Sequence, residues 1–209
     1  MKIIEPYFVI EDKIIPEKII SLIEKAGRTC YKSENSISDG SAEKFISNII
    51  KNQHESVLEH EKITVRIICD RGVSHELVRH RIASFSQEST RYCNYSKDKF
   101  GNELTFIKPC FWNTDSPEDS ECFEIWKNSM ALAEKHYNLL IASGAKPEQA
   151  RSVLPNSLKT EIVVTMNLRE WRHFFKLRTA PSAHPQIRQI ALSILFEFKN
   201  LLPVIFNDL

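Results

Sequence analysis

The chain has 209 residues and a mass of 24.2 kDa, which suits one domain, and its 42% apolar content is enough to build a core. With 28 Lys and Arg against 27 Asp and Glu, the net charge of +1 excludes a general attraction to nucleic acid or acidic membranes. Only 5 glycines occur, all widely separated. Because phosphate-binding loops need closely spaced glycines, any phosphate must be bound by side chains.

The N-terminal residues lack a charged segment followed by an apolar stretch, and no segment reaches the ~20 apolar residues of a membrane span. We therefore expect a soluble cytoplasmic protein. Its 5 cysteines are odd in number and form no Cys-x-x-Cys pair, which predicts reduced thiols and neither a disulfide nor a zinc site. No repeat or linker interrupts the chain, so we predict a single domain over 1–209.

Apolar periodicity and residues typical of helix starts predict a helix-dominated mixed α/β (α+β) fold. The predicted elements are, in chain order, a helix from Pro16 to Gly27, a helix after Ser41, strands at 63–67 and 104–107, a long helix from Ser116 to Gly144, a helix at Pro147, a strand at 160–166, a short helix with Trp171, Phe174 and Phe175, and a helix at Pro185.

Arginine and lysine are segregated along the chain, and residues 63–96 contain arginine but no lysine. The planar guanidinium binds phosphate or carboxylate through two parallel hydrogen bonds, whereas lysine offers a solvated point charge. Surface salt bridges are the alternative explanation for any single arginine. As a group, the candidates for anion binding are Arg79, Arg81, Arg91, Arg151, Arg169, Arg172 and Arg178.

The densest polar stretch is 79–92, with the sequence RHRIASFSQESTRY. If Ser74 caps a short helix, the Arg-His-Arg side chains point 100° apart and touch different partners. An extended segment after Phe85 would turn Glu88 and Tyr92 to one side. The opposite side would then carry an amide, a hydroxyl and a guanidinium suited to a phosphate or a base edge, from Gln87, Ser89 and Arg91.

Arg79-His80-Arg81, followed after seven residues by Ser89, resembles the signature of the flavin-dependent thymidylate synthases, the ThyX family. Two other stretches are similar to the same family. They are His54-Glu55-Ser56 and the run MNLREWRHFFKLR at 166–178, which leads to His184-Pro185-Gln186. The resemblance extends from about residue 31 to the C-terminal helix.

This resemblance implies a ThyX-like fold with a mostly antiparallel central sheet and several long helices. It also implies the reductive methylation of dUMP to dTMP, with 5,10-methylenetetrahydrofolate as the carbon donor. FAD would be the redox cofactor and NADPH would reduce it, without a metal. The family assembles as a homotetramer whose sites are shared between chains, and no nucleic acid or membrane partner is implied.

The resemblance also assigns residues to the two ligands. The FAD-binding residues would be His54, Ser56, Arg79, His80, Arg81, Gln87, Asn167, Leu168, Arg169 and His173. The dUMP-binding residues would be Glu76, Leu77, Val78, Arg79, Gln87, Glu88, Ser89, Thr90, Arg91, Arg151 and Arg178. For Glu76, a structural network with its helical neighbours is an alternative role.

Arg178 matches the arginine that the family places on the pyrimidine ring, and we expect it to be catalytic. Uracil must build electron density at C5 to accept a one-carbon unit, and a guanidinium at the N3/O4 edge stabilises that anionic form. No cysteine lies in the matching motifs, with Cys93 just beyond one of them, so we expect no thiol nucleophile. Ser89 has no suitable histidine and carboxylate partners and is predicted to bind phosphate instead.

Three other interpretations were weighed. His54 and His60 lie among glutamates, but their spacing is not that of a helical i,i+4 ligand pair, so no metal is predicted. A single-stranded nucleic-acid binder would stack bases on Phe85, Tyr92 and Tyr95, yet such domains are usually much more basic. The third interpretation is a flavoprotein that has the same fold but reduces another substrate. The tryptophans are expected in the core or at subunit contacts.

Overall fold

The computed structural model describes residues 1–95, 101, 103–112 and 115–209. Within these residues, 3-10 helices at Glu34–Ser36, Glu55–His60 and Arg151–Val153 accompany the longer elements. The strands and α-helices are β1 (Lys2–Ile4), β2 (Tyr7–Ile10), α1 (Pro16–Tyr31), α2 (Ser41–Lys51), β3 (Lys62–Asp70), α3 (Arg71–Leu77), β4 (Ala83–Gln87), β5 (Thr105–Ile107), α4 (Pro117–Ala142), α5 (Pro147–Ala150), β6 (Lys159–Asn167), α6 (Leu168–Arg178), α7 (Pro185–Leu201) and α8 (Pro203–Phe206).

Four strands form an antiparallel sheet in the order β2-β3-β6-β4, while β1 and β5 form a separate parallel pair. The mixed α/β fold class is therefore confirmed. The chain divides into two compact units, whose boundaries fall inside β2, β3, β4 and β6 and between residues 79 and 80. Unit 1 comprises Met1–Tyr7, Ile67–Arg79 and Ser86–Ile162, and unit 2 comprises Phe8–Arg66, His80–Phe85 and Val163–Leu209. The single domain over 1–209 stays a prediction.

Unit 1 is organised around the long helix α4. Trp126, Met130 and Tyr137 lie on one helical face and are buried, as their spacing predicts. Ser116 caps the helix by accepting a hydrogen bond from Asp119 N at 3.2 Å. The Trp126 indole donates to Ser157 Oγ at 3.1 Å, so this tryptophan is a core residue with its polar atom satisfied.

Unit 2 has a core of aromatic rings supplied by α6 and the C-terminal helices. The Trp171 ring stacks on Phe175 with centroids 5.7 Å apart, and it meets Phe198 edge-on at 5.2 Å. Phe206 closes the group at 5.2 Å from Phe198. The Trp171 indole donates to Ile63 O at 2.9 Å, which ties α6 to β3 within this unit. Large packed rings make α6 a rigid platform for the polar side chains on its other face.

Gly27 does not end the first helix, contrary to the prediction. Helix α1 continues to Tyr31, and its end is marked by Lys32 in the left-handed conformation with φ 50°. A Cβ atom on Gly27 would lie 2.5 Å from the ring of Phe45. The glycine therefore allows α1 and α2 to approach each other, a role that depends on tertiary packing and has no local signature.

Arg172 is a buried ion-pair centre, so its inclusion among the anion-binding candidates was wrong. Its side chain is 1% exposed, and it donates to Glu55 Oε1 and to both carboxylate oxygens of Asp208, at 2.6 and 2.7 Å. It also donates to the carbonyl of Ile205. These bonds occupy the guanidinium within unit 2 and leave no surface on which it can meet a ligand.

The Arg172–Asp208 ion pair predicts how the stability of the protein responds to acid. The hydrogen bond from Arg172 lowers the pKa of Asp208, and this outweighs the opposing effect of burial. A depressed pKa means that the stabilisation is present above about pH 4, the unfolded value, and is lost as pH falls toward the folded value. Between pH 5 and 3, we expect the free energy of unfolding of the native chain to fall more steeply than that of the Asp208→Asn variant. Urea unfolding at a series of pH values measures both. Parallel pH profiles for the two proteins would contradict this prediction.

Among the described residues, no helix is both long and apolar enough to cross a membrane.

Candidate active site

Two neighbouring cavities in unit 2 are lined by five of the ten predicted flavin residues. The first, of about 430 Å³, is lined by Asn167, Arg169 and His173 among others. The second, of about 450 Å³, is lined by His54, Ser56 and the same Arg169. These five residues lie between positions 54 and 173 of the sequence, and the fold brings them to two adjoining cavities.

The first cavity is built at the junction of β6 and α6. Asn167 ends the strand and caps the helix, with its Oδ1 accepting from Glu170 N at 2.8 Å. Arg169 is exposed on the first turn and is paired with Glu59 at 2.5 Å. Leu168, between them, is fully buried and donates its N–H to Glu61 O at 3.0 Å. Its side chain therefore belongs to the core and lines neither cavity, and its assignment to FAD stays a prediction.

The second cavity combines polar donors with an apolar wall. His54 precedes the 3-10 helix Glu55–His60, and its Nδ1 lies 3.4 Å from the Tyr31 hydroxyl. Gln53, just before it, has φ 58°, which makes the tight turn that presents this helix. The other lining residues include apolar Phe45, Ile49 and Val57. Hydroxyl, imidazole and guanidinium groups beside an apolar wall fit a ligand with a flat ring and charged phosphates, as in FAD.

A chain of hydrogen bonds runs from a carboxylate through an imidazole to Arg178. Glu170 Oε1 lies 3.0 Å from His80 Nδ1, and Arg178 Nε donates to His80 Nε2 at 3.2 Å. His80 is 5% exposed and Glu170 is 8% exposed, and the rings of His173 and Phe174 contact the imidazole edge-on. The buried His80 thus joins Glu170 and the half-buried Arg178, which lie at opposite ends of α6, into one hydrogen-bonded group in unit 2.

The partners of His80 determine where its proton resides. A guanidinium donates hydrogen bonds and cannot accept them, so Nε2 must be the accepting nitrogen and Nδ1 carries the hydrogen that goes to Glu170. Burial lowers the pKa of His80, the Glu170 hydrogen bond raises it, and the charge of Arg178 lowers it again, with a net lowering. Both observations describe a neutral imidazole with one defined tautomer.

His80, Glu170 and His173 also form a group whose potential metal-ligand atoms lie within 4.8 Å of one another. A metal on His80 would displace either Glu170 or Arg178, and the cationic guanidinium only 3.2 Å from the ring would repel it. We therefore interpret the group as a hydrogen-bonded relay. Sequence reasoning missed Glu170, because its position three residues after Asn167 is that of an ordinary helix-capping glutamate.

Residues 88–92 of unit 1 form a turn, so the expected extended run was wrong beyond Gln87. Strand β4 ends at Gln87, and both Tyr92 N and Cys93 N donate to Ser89 O. The turn nonetheless places polar groups together. Arg151 Nη1 donates to Thr90 Oγ1 at 3.3 Å, and Ser89 Oγ accepts from Arg91 N at 3.3 Å. The Arg91 and Arg151 side chains are exposed there, which suits them to an anion.

Gln87 and Glu88 are held by internal hydrogen bonds. The Gln87 amide donates to Ser74 Oγ at 2.9 Å and to Thr160 Oγ1 at 3.2 Å. Glu88 accepts from Tyr95 Oη and from Lys159 Nζ, each at 3.0 Å. These side chains brace the turn that carries the two exposed arginines.

The end of α3 carries the remaining predicted nucleotide residues. Asp70 caps this helix by accepting from Val73 N at 2.7 Å, so the condition that Ser74 is the cap is not met. The helix ends at Leu77, which is buried, whereas Val78 and Arg79 lie beyond it and are exposed, and Glu76 is half-buried. Arg81 is exposed in unit 2.

The predicted residues thus separate by unit. Unit 2 contains the predicted FAD residues except Arg79 and Gln87, and unit 1 contains the predicted dUMP residues except Arg178.

The nucleic-acid interpretation loses one of its stacking residues, because Tyr95 is buried and bonded to Glu88. Burial also raises the pKa of the Cys69 thiol, and this lowers its reactivity.

The family model described as "Thymidylate synthase complementing protein" matches residues 16–204. A flavin-dependent thymidylate synthase from Pyrococcus furiosus is 40% identical over 178 residues, covering 85% of this chain and 70% of that protein. The enzyme of the same name from Geobacter sulfurreducens is 36% identical over 200 residues, covering 92% and 82%.

A solved structure of similar fold is the UMP/dUMP methylase PolB from Streptomyces cacaoi bound with 5-Br dUMP. It has a TM-score of 0.81 over 99% of this chain and 96% of that one, at 24% identity, and therefore supports the fold alone. The family model and the two enzymes cover most of the sequence, including the Arg79-His80-Arg81 motif and the segment that carries Arg178. The chain belongs to the family of flavin-dependent thymidylate synthases.

Proposed function

We propose that the chain methylates dUMP at C5 to form dTMP, using 5,10-methylenetetrahydrofolate as the carbon donor and FAD reduced by NADPH. The observation that carries this proposal is the hydrogen-bonded Glu170–His80–Arg178 chain of unit 2, whose Glu170 lines the first cavity. Family membership supports the same activity. We further propose a cytoplasmic homotetramer in which chains share their sites, without a metal, nucleic-acid or membrane partner.

The residues proposed to hold FAD offer complementary chemistry. Arg169 and Ser56 suit the phosphates, while His54 and His173 suit the polar edge of a ring. When bound, FAD supplies the hydride that converts the transferred carbon unit into a methyl group. Arg79, Arg81 and the backbone of 167–169 complete this proposed set.

Arg178 is proposed to hold the N3/O4 edge of the uracil ring. A guanidinium stays charged at any working pH and stabilises the negative charge that must develop as C5 becomes nucleophilic. Its Nε is anchored on His80, which orients the planar fork. No cysteine is needed for this activation, because electrostatic stabilisation replaces the covalent adduct.

The exposed arginines of unit 1 are proposed to hold the dUMP phosphate together with Ser89. Each guanidinium can donate two parallel hydrogen bonds to phosphate oxygens. The turn at 88–92 brings Ser89 and Arg91 together, and Arg151 is linked to the same turn through Thr90. Glu76 and Gln87 are proposed to contact the rest of the nucleotide.

Substitution of Arg91 tests the phosphate assignment. Arg91→Ala removes a charge-assisted hydrogen bond worth about 1.5–3 kcal/mol, so the Kd for dUMP should rise about tenfold to 100-fold. Isothermal titration with dUMP measures this, and Lys127→Ala, which removes a surface cation from α4, should leave the Kd unchanged. An unaltered dUMP affinity in Arg91→Ala would remove this residue from the phosphate site.

The function itself is tested with purified protein. We expect bound FAD whose absorption is bleached by NADPH, and dTMP formation that requires dUMP and 5,10-methylenetetrahydrofolate together. A protein whose flavin is reduced but which makes no dTMP would be a flavoprotein with another substrate. A colourless protein that shifts a labelled oligonucleotide would instead support nucleic-acid binding.

A further inference from the structure

We propose that Glu170 is a positioning residue for Arg178 and acts by selecting the tautomer of His80. This inference rests on the proposed function of Arg178, but its first test does not depend on catalysis. Glu170 lies on the first turn of α6 and Arg178 is the last residue of the same helix. His80 bonds to both side chains, with hydrogen bonds of 3.0 Å to Glu170 and 3.2 Å to Arg178.

The geometry gives each member of the chain one task. An ionised carboxylate only accepts hydrogen bonds, so Glu170 requires a proton on His80 Nδ1. A neutral imidazole with that proton on Nδ1 has an unprotonated Nε2, which is the acceptor that Arg178 Nε needs. The opposite tautomer would place two donors against each other at the Arg178 contact and two acceptors against each other at the Glu170 contact. Glu170 thus excludes the tautomer that would repel Arg178.

Anchoring Nε also sets the direction of the rest of the guanidinium. The group is planar and rigid, so fixing Nε and the plane fixes where the terminal amino groups point. A displacement of about 1 Å in a substrate-positioning group can cost about 100-fold in rate. Burial strengthens the effect, since His80 and Glu170 are nearly enclosed and water cannot replace either partner cheaply.

The state of His80 is measured directly by ¹⁵N NMR of histidine-labelled protein, in which protonated and unprotonated ring nitrogens have distinct shifts. His80→Gln identifies the His80 signals by their loss. We expect Nδ1 protonated and Nε2 unprotonated in the native chain near neutral pH. A proton on Nε2 of the native His80 would overturn the proposal, whatever the enzyme's activity.

Two substitutions at 170 separate positioning from general destabilisation. Glu170→Leu removes the acceptor and leaves only Arg178 to favour the proton on Nδ1, so the Nδ1 preference should weaken and kcat for dTMP should fall by up to about 100-fold. Glu170→Gln keeps a carbonyl acceptor for Nδ1–H, and should preserve the tautomer and rescue most of the rate. The surface variant Glu124→Gln, which loses one carboxylate on α4, should change neither the tautomer of His80 nor kcat.

The outcomes distinguish this inference from the proposed function. If the native tautomer is as expected but no dTMP forms in any variant, the activity is wrong and the tautomer selection stands. If dTMP forms and Glu170→Leu keeps both the tautomer and the native kcat, Glu170 has no positioning role. If kcat falls equally in Glu170→Gln and Glu170→Leu while the tautomer of His80 is unchanged, Glu170 has only a structural role.

Discussion

Arg178→Ala is expected to lower kcat for dTMP formation by about 100- to 1000-fold, the cost of deleting one donor that stabilises developing negative charge. The fold should survive, because Arg178 is the last residue of α6 and is only half-buried. Flavin content should also persist, since Arg178 is not among the residues that line either cavity. The measurement is steady-state dTMP formation alongside the flavin absorption of the purified variant.

Arg178→Lys refines the same test. Lysine keeps the charge but has neither the Nε–H that contacts His80 nor the planar fork, so it should recover only a small part of the rate. Lys127→Ala, a surface cation on α4, serves as the control and should turn over normally. Near-normal turnover in Arg178→Ala would refute the proposed catalytic role of this arginine.

Arg172→Met is expected to reduce the free energy of unfolding by about 3 kcal/mol, since it strips a buried ion pair of its central cation. Glu55 and Asp208 would keep their charges without the guanidinium that now binds both. Glu55 also belongs to the 3-10 helix that carries Ser56, so flavin affinity should weaken along with stability. Urea unfolding followed by circular dichroism measures the first effect.

Arg169 provides a matched control three residues earlier on the same helix. Its pair with Glu59 is exposed on both sides, and exposed pairs contribute about 0–1 kcal/mol. Arg169→Met should therefore unfold at nearly the native urea concentration. If Arg172→Met were no less stable than Arg169→Met, the buried pair would not stabilise the fold.

Sequence analysis predicted the elements whose signals are local. Proline at the first turn and regular apolar spacing placed the starts of α1, α4 and α7, and alternation placed β3 and β6. The spaced motif from Arg79 to Ser89, together with the flanking stretches at 54–56 and 166–178, also predicted the family, because this combination of residue types and separations is rarely met by chance. The element predictions succeeded because each depends on residues within a few turns of chain.

What only the tertiary structure decided involves contacts between distant residues. Gly27 permits the approach of Phe45, and Arg172 reaches Asp208 near the C-terminus; neither contact leaves a mark on the neighbouring sequence. His80 and Arg178 are 98 residues apart, and Glu170 joins them although its spacing suggests a helix cap. Burial, hydrogen-bond direction and tautomer are properties of that assembled group, so the residue types could be named in advance but the relay they form could not.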